Sequence, residues 1–443
     1  MDELFDLPPT EAGPAEPEER ARPRLQRPQR DQITLRPSDL ESLLPADHRA
    51  RLVWAFVESL DLAAFHTRIK AVEGHSGRPP IDPAILVSLW LYATLEGVGS
   101  ARALDRLVDE HDAYRWLAGG VGVNYHTLAA FRVEQTDILD ALLTESVAAL
   151  LADGLVTMAA VAQDGMRVRA SAGAASYRRR STLERFLDEA EAQVDALKAE
   201  LDDDPAATSR RIAAARERAA AERAERVRKA LTHLPELEAA KRRAGKPVDV
   251  ARASTSDPEA RVMKMADGGY RPAYNVQFAA DTESQVIVGL DVTPAGTDHG
   301  QLRPMVGQLR RRYGRDPDAL LADAGFQTIA EIDELAAAAC GTTLYLPVRT
   351  PADKTRDPHQ PLPDDSPAVA AWRVRMGTAE AREIYRQRAA TAECVNAIAR
   401  NRGLRHIGVR GLQKARAILL WFALAHNLMR AVVLRTAAAA AAT

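Results

Sequence analysis

A short apolar run, VTMAAVAQD at residues 156–164, ends on a carboxylate. Its length and its β-branched residues predict a buried strand. Two later runs, YNVQFA at 274–279 and QVIVGLDV at 285–292, predict a β-hairpin, because the turn-forming sequence DTES lies between them. A further buried strand is predicted for DALLAD at 318–323, and a helix separates it from a strand at 342–348. A hairpin followed by a strand–helix–strand unit is typical of a mixed α/β sheet.

The residues that precede this run have a helical period instead. Apolar residues recur at helical spacing from about residue 38 to residue 151, and the capping box SDLE at 38–41 opens the first helix. Short helices at this spacing suit a helix-turn-helix-like bundle, although most small helical bundles bind no DNA. We therefore predict a helical N-terminal DNA-binding domain at 34–152. A disordered arm rich in Pro, Glu and Arg is predicted at 1–33.

A helical insertion at 181–246 interrupts the predicted α/β domain, which covers 153–180 and 247–436. Alternating four- and three-residue spacing of apolar side chains predicts a seam on a first helix, at Leu183, Leu187, Ala190, Val194, Leu197 and Leu201. A second helix has the same spacing, so we predict a helical hairpin that protrudes from the α/β core. The seam leaves open whether the hairpin packs on itself or on a partner. The last residues, 437–443, are predicted to be a disordered Ala-rich tail.

Composition excludes several classes of protein. The chain has 443 residues, of which 46% are hydrophobic, so it has enough apolar side chains for a buried core. It has only two cysteines, without CxxC spacing, which excludes a disulfide framework and a thiolate zinc site and favours the cytoplasm. The acidic, Pro-rich N-terminus does not resemble a signal peptide. The most apolar run, 418–434, is shorter than the ~20 residues that a membrane span needs, so we interpret it as a core helix and expect no membrane partner.

Charge is distributed unevenly along the chain. The formal net charge is −2, yet residues 394–443 contain eight basic residues and no Asp or Glu. An acid-free basic segment of this kind favours a surface that binds a polyanion such as DNA. The simpler alternative is a solvated face of a terminal helix, and the sequence leaves both open.

Three carboxylates are candidates for a metal site. Asp164 and Asp323 end predicted buried strands, and Glu393 lies on a helix predicted for 379–400. Taken singly, each is better explained without a metal: Asp164 as a turn residue, Asp323 as a helix cap and Glu393 as an exposed charge. Taken together, three carboxylates supply the hard oxygen ligands that Mg²⁺ prefers. Two such ions ~3.5–4 Å apart can activate an attacking oxygen and stabilise the leaving oxygen of a phosphodiester.

The residues around these carboxylates resemble the catalytic regions of bacterial insertion-sequence transposases of the DDE class. AQDGMRV at 162–168 is similar to the first region, and DAGF at 323–326 is similar to the second. YRQR at 385–388, followed by Glu393 and Arg400, resembles the Tyr-Arg-Glu-Lys signature of the third. The interval from Arg388 to Glu393 is one residue longer than usual, and Arg400 replaces the usual Lys. Either the signature arginine is displaced, or the helix is locally irregular.

This resemblance covers about residues 37–435 and implies an RNase H-like mixed sheet with a helical N-terminal domain. It implies that Asp164, Asp323 and Glu393 hold two Mg²⁺ or Mn²⁺ ions. Water would attack the phosphodiester at the end of the element, and the freed 3′-hydroxyl would then attack target DNA. DNA contacts are expected from Arg178, Arg179, Arg180, Tyr385, Arg386, Arg388, Arg400, Arg410, Lys414 and Arg416. For Tyr385, stacking on DNA or a hydrogen bond to it and a place at an amphipathic interface both stay open.

The expected partners are the terminal inverted repeats of the element and target DNA, bound by a homodimer in the cytoplasm at the nucleoid. Two alternatives remain open from the residues alone. One is a metal-dependent DNA nuclease that performs no strand transfer. The other is a non-catalytic DNA-binding protein derived from a transposase.

Overall fold

The computed structural model describes residues 39–71, 79–203, 210–338, 341–350 and 355–442. The predicted arm at 1–33 lies outside the described residues. The chain from Leu40 onward forms one compact unit in which helices and strands share a continuous hydrophobic core.

Seven α-helices form the described part of the N-terminal region, as the apolar spacing predicts. Side-chain caps fix the starts of several of them: Asp82 accepts a hydrogen bond from the backbone of Ala84, and Asn124 accepts one from the backbone of Thr127. The third helix is buried almost all round, so it is the centre of this bundle. The helices are α1 (Arg49–Glu58), α2 (Ala63–His66), α3 (Pro83–Leu95), α4 (Ala101–Glu110), α5 (Asp112–Ala118), α6 (Tyr125–Glu134) and α7 (Thr136–Ala152).

Eight strands follow in the described chain. They are β1 (Ala160–Arg169), β2 (Tyr177–Arg178), β3 (Ala253–Ser254), β4 (Arg261–Lys264), β5 (Tyr270–Asp281), β6 (Ile287–Thr293), β7 (Ala319–Leu321) and β8 (Thr343–Tyr345). The main sheet has the order β4-β5-β1-β7-β8, and β6 also pairs with β5. Strand β5 pairs antiparallel with β1 on one side and with β6 on the other. Strand β7 pairs parallel with β1, and β8 pairs parallel with β7. The predicted RNase H-like mixed sheet is confirmed.

The first strand differs from its predicted bounds. It begins at Ala160, four residues after the predicted start, and continues to Arg169. The long strand β5 pairs with it from Val161 to Arg169, which extends the ladder beyond the apolar run. Asp164 therefore lies within the strand and not at its end.

The insertion forms a helical hairpin, with α8 at Arg180–Asp203 and α9 at Arg210–Arg243. The two helices pack on each other around a small apolar cluster that includes Leu183, Val227 and Leu234 and is separate from the main core. Arg180 is ion-paired with Glu238 (2.8 Å), which joins the starting turn of α8 to α9. The hairpin therefore has a core of its own, as a protruding element would need.

The remaining helices are α10 (Leu302–Tyr313), α11 (Ile329–Ala337), α12 (Pro367–Met376), α13 (Ala379–Arg388), α14 (Cys394–Asn401) and α15 (Leu412–Ala442). Among the described residues, α15 is long and apolar enough to cross a membrane, but 72% of its apolar window is buried inside the protein. It packs against α3, α6, α7 and β6 as the predicted core helix. Residues 437–442 continue this helix and are not the predicted disordered tail, because alanine has the highest helix propensity.

Candidate active site

Two aspartates occupy neighbouring positions on adjacent strands. Asp164 lies within β1, and Asp323 follows the end of β7. These strands are parallel, and Ala162 is paired with Leu321. Each aspartate lies two residues beyond that pair, so their backbones occupy adjacent positions on strands about 5 Å apart. The fold therefore brings together the two aspartates that the sequence singles out.

The environment of Asp164 is half-buried and rich in charge. Burial raises the pKa of the Asp164 carboxyl above its ordinary value; Arg388 opposes this rise, and the charges of Asp323 and Asp298 add to it. Its Oδ1 accepts a hydrogen bond from its neighbour's backbone N–H, and its Oδ2 accepts one from Nδ2 of Asn396 (2.8 Å). Asn396 lies on α14, so the helix that follows Glu393 fixes the orientation of the Asp164 carboxylate.

Glu393 lies at the edge of this pair. Its side chain is 65% exposed, and its Oε1 is 3.6 Å from Nη2 of Arg388. The other terminal nitrogen of Arg388 is 4.0 Å from Oδ1 of Asp164. Arg388 thus lies between Glu393 and Asp164. The structure brings together two of the three predicted metal ligands and holds the third beside them through an arginine.

The predicted helix over 379–400 is locally irregular at the signature. A π-helical turn, Ala389–Glu393, joins α13 to α14. A π-turn accommodates one residue more than an α-helical turn, which accounts for the extra residue between Arg388 and Glu393. Ala392 of this turn packs against Ala162 and Leu321, the pair that precedes the two aspartates. The turn therefore keeps Glu393 close to the site despite the longer spacing.

Asp298 is a fourth acidic residue at this site. From the sequence, Asp298 with His299 suggests either a metal pair or base, or a turn before a helix, and the turn is favoured. Its Oδ1 accepts hydrogen bonds from Nδ2 of Asn275 and Nε2 of Gln277 (both 2.8 Å). Its Oδ2 is ion-paired with Nη1 of Arg167 (2.9 Å). The signals in the sequence were the adjacent pair Asp298 and His299, and YNVQ at 274–277, which resembles the same transposases and supplies the two amide side chains without naming their partner.

The Asp298 carboxylate packs against the backbone beside both aspartates. A Cβ atom at Gly165 would lie 2.1 Å from Oδ1 of Asp298, and a Cβ atom at Gly325 would lie 3.6 Å from its Oδ2. Gly165 and Gly325 closely follow Asp164 and Asp323 in the chain. Asp298 therefore lies between the two segments that carry the candidate catalytic residues.

The carboxylate pair fits a divalent cation by the chemistry of its donors. Asp164 and Asp323 offer hard oxygen ligands, and their mutual repulsion would be relieved by a bound cation. Within the described parts of the chain, no three His, Cys, Asp or Glu side chains come close enough together to hold an ion. Glu393 would complete such a set only after leaving Arg388.

The predicted DNA-contacting residues fall into two groups. Those with exposed side chains are Arg179, Arg180, Arg386, Arg400, Arg410 and Lys414. Two of these are already ion-paired: Arg180 with Glu238, and Arg386 with Glu383. The less exposed residues are Arg178, Tyr385, Arg388 and Arg416.

Two of the less exposed residues have well-defined partners. Arg388 lies over the ring of Tyr385, 5.9 Å from its centroid, and burial raises the pKa of that tyrosine. Arg416 is ion-paired with both Asp140 and Asp291 (3.0 Å each), so a phosphate would have to compete with two carboxylates for it.

Two family models match the chain. Residues 38–134 match a family described as a transposase domain (DUF772), and residues 245–428 match one described as a transposase DDE domain. The second segment includes Asp298, Asp323 and Glu393, whereas Asp164 lies outside both. No curated protein and no solved structure matches the chain.

Proposed function

The chain belongs to the DDE-class transposases of insertion sequences, and we propose that it cuts DNA at the ends of the element and transfers the freed 3′-hydroxyls to target DNA. The observation that carries this proposal is the juxtaposition of Asp164 and Asp323 on parallel neighbouring strands. We place the reaction in the cytoplasm at the nucleoid, on a DNA-bound homodimer.

Asp164, Asp323 and Glu393 would hold Mg²⁺ or Mn²⁺. Bound metal supplies positive charge that activates the attacking oxygen and stabilises the leaving oxygen of the phosphodiester. Asn396 holds one oxygen of Asp164 in place, and Asp298 fixes the backbone beside both aspartates. Asp298 already accepts three hydrogen bonds, so its role is to position the site and not to bind the metal.

Arg388 partly compensates the negative charge of this site when no metal is bound. Its guanidinium lies between Asp164 and Glu393 and offsets part of their repulsion. A DNA phosphate would compete for the same guanidinium and release Glu393 toward the aspartate pair. Arrival of DNA would in this way favour completion of the metal-ligand set.

The acid-free segment supplies the surface for the DNA backbone. Arg400, Arg410 and Lys414 are exposed, and no described acid is ion-paired with them. Arg400 follows Glu393 on the same helical unit, so the nearest phosphate contacts would adjoin the scissile bond. Such contacts set the position of DNA without reading its sequence.

The experiment is a cleavage assay on duplex DNA that carries the element ends, with Mg²⁺, for wild type, Asp164→Asn and Asp323→Asn. The matched control is Asp318→Asn, whose side chain is 71% exposed. We expect both site variants to lose most of their metal-dependent cleavage, since they remove metal-binding carboxylates, and the control to cut normally. Full activity of both site variants would refute the proposed chemistry.

The same assay separates the alternatives when target DNA is included. Joined products indicate transposition, whereas cut ends that never join indicate a nuclease. DNA binding without any metal-dependent cleavage indicates a non-catalytic DNA-binding protein.

A further inference from the structure

A cavity lies between the N-terminal helices and the loop that follows α14. Its volume is about 70 Å³, several times the ~10–15 Å³ that one water needs. Arg132 of α6 lines one part, and Arg402 and His406 of the loop line another. Arg169, at the end of strand β1, pairs through its backbone with His406 in a single β-bridge. The cavity is thus separate from the aspartate pair but connected to its strand.

Arg402 brings a positive charge to this cavity without a partner. Its Nη1 is buried and has no hydrogen bond, and no ion pair joins it to a described acid. Burial lowers the pKa of Arg402, and the nearby charge of Arg49 lowers it further. Glu96, which acts in the opposite direction, is already ion-paired with Arg49 (2.8 Å). Arg402 is half-buried and has no ion pair of its own, so an anion in the cavity would offset its charge.

Arg132 adds a second guanidinium to the same cavity. It lies 4.4 Å over the ring of Trp90 and donates one hydrogen bond to the carbonyl of Gly99. Its Nε is buried and unpartnered. Burial lowers the pKa of Arg132 to about 10, which still leaves it charged at neutral pH.

The lining of the cavity keeps this space open and free of acids. Backbone lines part of it, at Gly97, Gly99, Gly403 and Gly408, and no lining residue is Asp or Glu. Gly97 and Gly403 have φ of +73° and +87°, a conformation that L side chains rarely adopt, so substitution would be strained. Two arginines therefore line a space large enough for several heavy atoms, and no carboxylate lines it.

We propose that this cavity binds a phosphate group, held between Arg132 and Arg402. Guanidinium groups pair with phosphate oxygens through fixed, charge-assisted hydrogen bonds, and neither Arg132 nor Arg402 is ion-paired with a described acid. The ligand is a phosphate of the DNA backbone or free inorganic phosphate. The DNA alternative rests on the proposed function, whereas the free-phosphate alternative does not.

The first test is thermal unfolding of the full chain in inorganic phosphate and in chloride at equal ionic strength. We expect phosphate to raise the melting temperature of wild type by ~1–3 °C in a concentration-dependent way if the free ion binds. Arg402→Gln should lose this rise and should not melt earlier than wild type in chloride, since it removes a half-buried charge that has no ion pair with a described acid. The matched control is Arg311→Gln, an exposed arginine of α10, which should keep the rise. If Arg402→Gln does not fold, Arg402→Lys and the wild-type titration replace it.

The second test is the salt dependence of duplex DNA binding, measured by fluorescence anisotropy without metal. If the ligand is a DNA phosphate, Arg402→Gln should bind more weakly and lower the slope of log K against log salt by about 0.9, whereas Arg311→Gln should not. If phosphate raises the melting temperature of wild type but Arg402→Gln binds DNA as wild type does, the ligand is the free ion. No rise in wild type together with an unchanged slope in Arg402→Gln overturns the proposal. Neither measurement involves cleavage, so its failure is distinct from a failure of the proposed function.

Discussion

Gly165 shows how closely a single position is constrained at this site. It follows Asp164 within β1, where the carboxylate of Asp298 packs against its backbone. A Cβ atom there would also lie 2.7 Å from Nε2 of Gln277. The same two groups hydrogen-bond to each other, so neither can move away without breaking a buried contact.

We therefore expect Gly165→Ala to destabilise the protein by about 1–3 kcal/mol, because the added methyl overpacks a buried polar cluster. Displacement of the adjacent aspartate should lower metal-dependent cleavage by about 10²-fold. Urea unfolding and the cleavage assay measure the two effects. Gly173→Ala is the control, since a Cβ atom there would meet nothing within 4 Å. Equal stability and activity of both variants would show that Asp298 does not constrain this backbone.

The raised pKa of Asp164 predicts how stability depends on pH without metal. The folded protein holds a proton on Asp164 more readily than the unfolded chain does, so stability falls as pH rises through the raised pKa. Asp164→Asn does not titrate. In EDTA it should therefore melt at a higher temperature than wild type at neutral pH, and the difference should shrink in mild acid.

Melting curves over this pH range, with and without Mn²⁺, measure that dependence. Mn²⁺ should stabilise wild type, and this effect should fade in acid as Asp164 is protonated. A variant that is less stable than wild type at neutral pH in EDTA would contradict the raised pKa of Asp164.

At the residue scale, the sequence predicted Asp164 and Asp323 but not Asp298. Apolar runs that end near a carboxylate identify the first two, because adjacent parallel strands align their ends. Asp298 comes from an irregular segment, and its place between the aspartates depends on the path of the chain between β6 and α10. No local pattern encodes that path.

Among the elements, the hairpin of α8 and α9 is the one whose packing depends least on the main hydrophobic core. Leu183 of α8 is fully buried against α9 in the small cluster that stands apart from the main core. Leu183→Ala should destabilise the hairpin by about 2–5 kcal/mol. Hydrogen exchange should then show faster exchange in α8 and α9, with unchanged protection in β1 and β5.

Leu52→Ala in α1 serves as the control, because Leu52 is 38% exposed. Its exchange pattern should match that of wild type throughout the hairpin. A uniform loss of protection in Leu183→Ala would instead mean that the hairpin unfolds together with the sheet.

The heptad spacing was sufficient to predict the hairpin, and the extra residue after Arg388 was sufficient to predict an irregular helix or a displaced arginine. The form of the irregularity, a π-turn, was not predictable. It depends on Ala392 packing against two strands that are remote in the chain. The disordered tail was predicted from composition alone, which gave too little weight to the helix that α15 has already nucleated.

Over the whole molecule, α15 connects the N-terminal helices with the sheet. Nε1 of Trp421 donates to the carbonyl of Arg132 (2.9 Å), and Asn427 exchanges two hydrogen bonds with the backbone of Ile287 (2.8 Å each). The apolar run predicted that this helix is buried, but it could not specify which surfaces cover it. The segment that matches the first family model and the segment that matches the second therefore share one hydrophobic core.

The central claim is that Asp164 and Asp323 jointly bind the metal that acts on DNA. Anomalous diffraction from crystals of wild type and Asp164→Asn soaked in Mn²⁺ tests it most directly. We predict a manganese peak in contact with both carboxylates in wild type and a lost or much weaker peak in the variant. A wild-type map with manganese bound elsewhere, or with none between these two aspartates, would contradict the account.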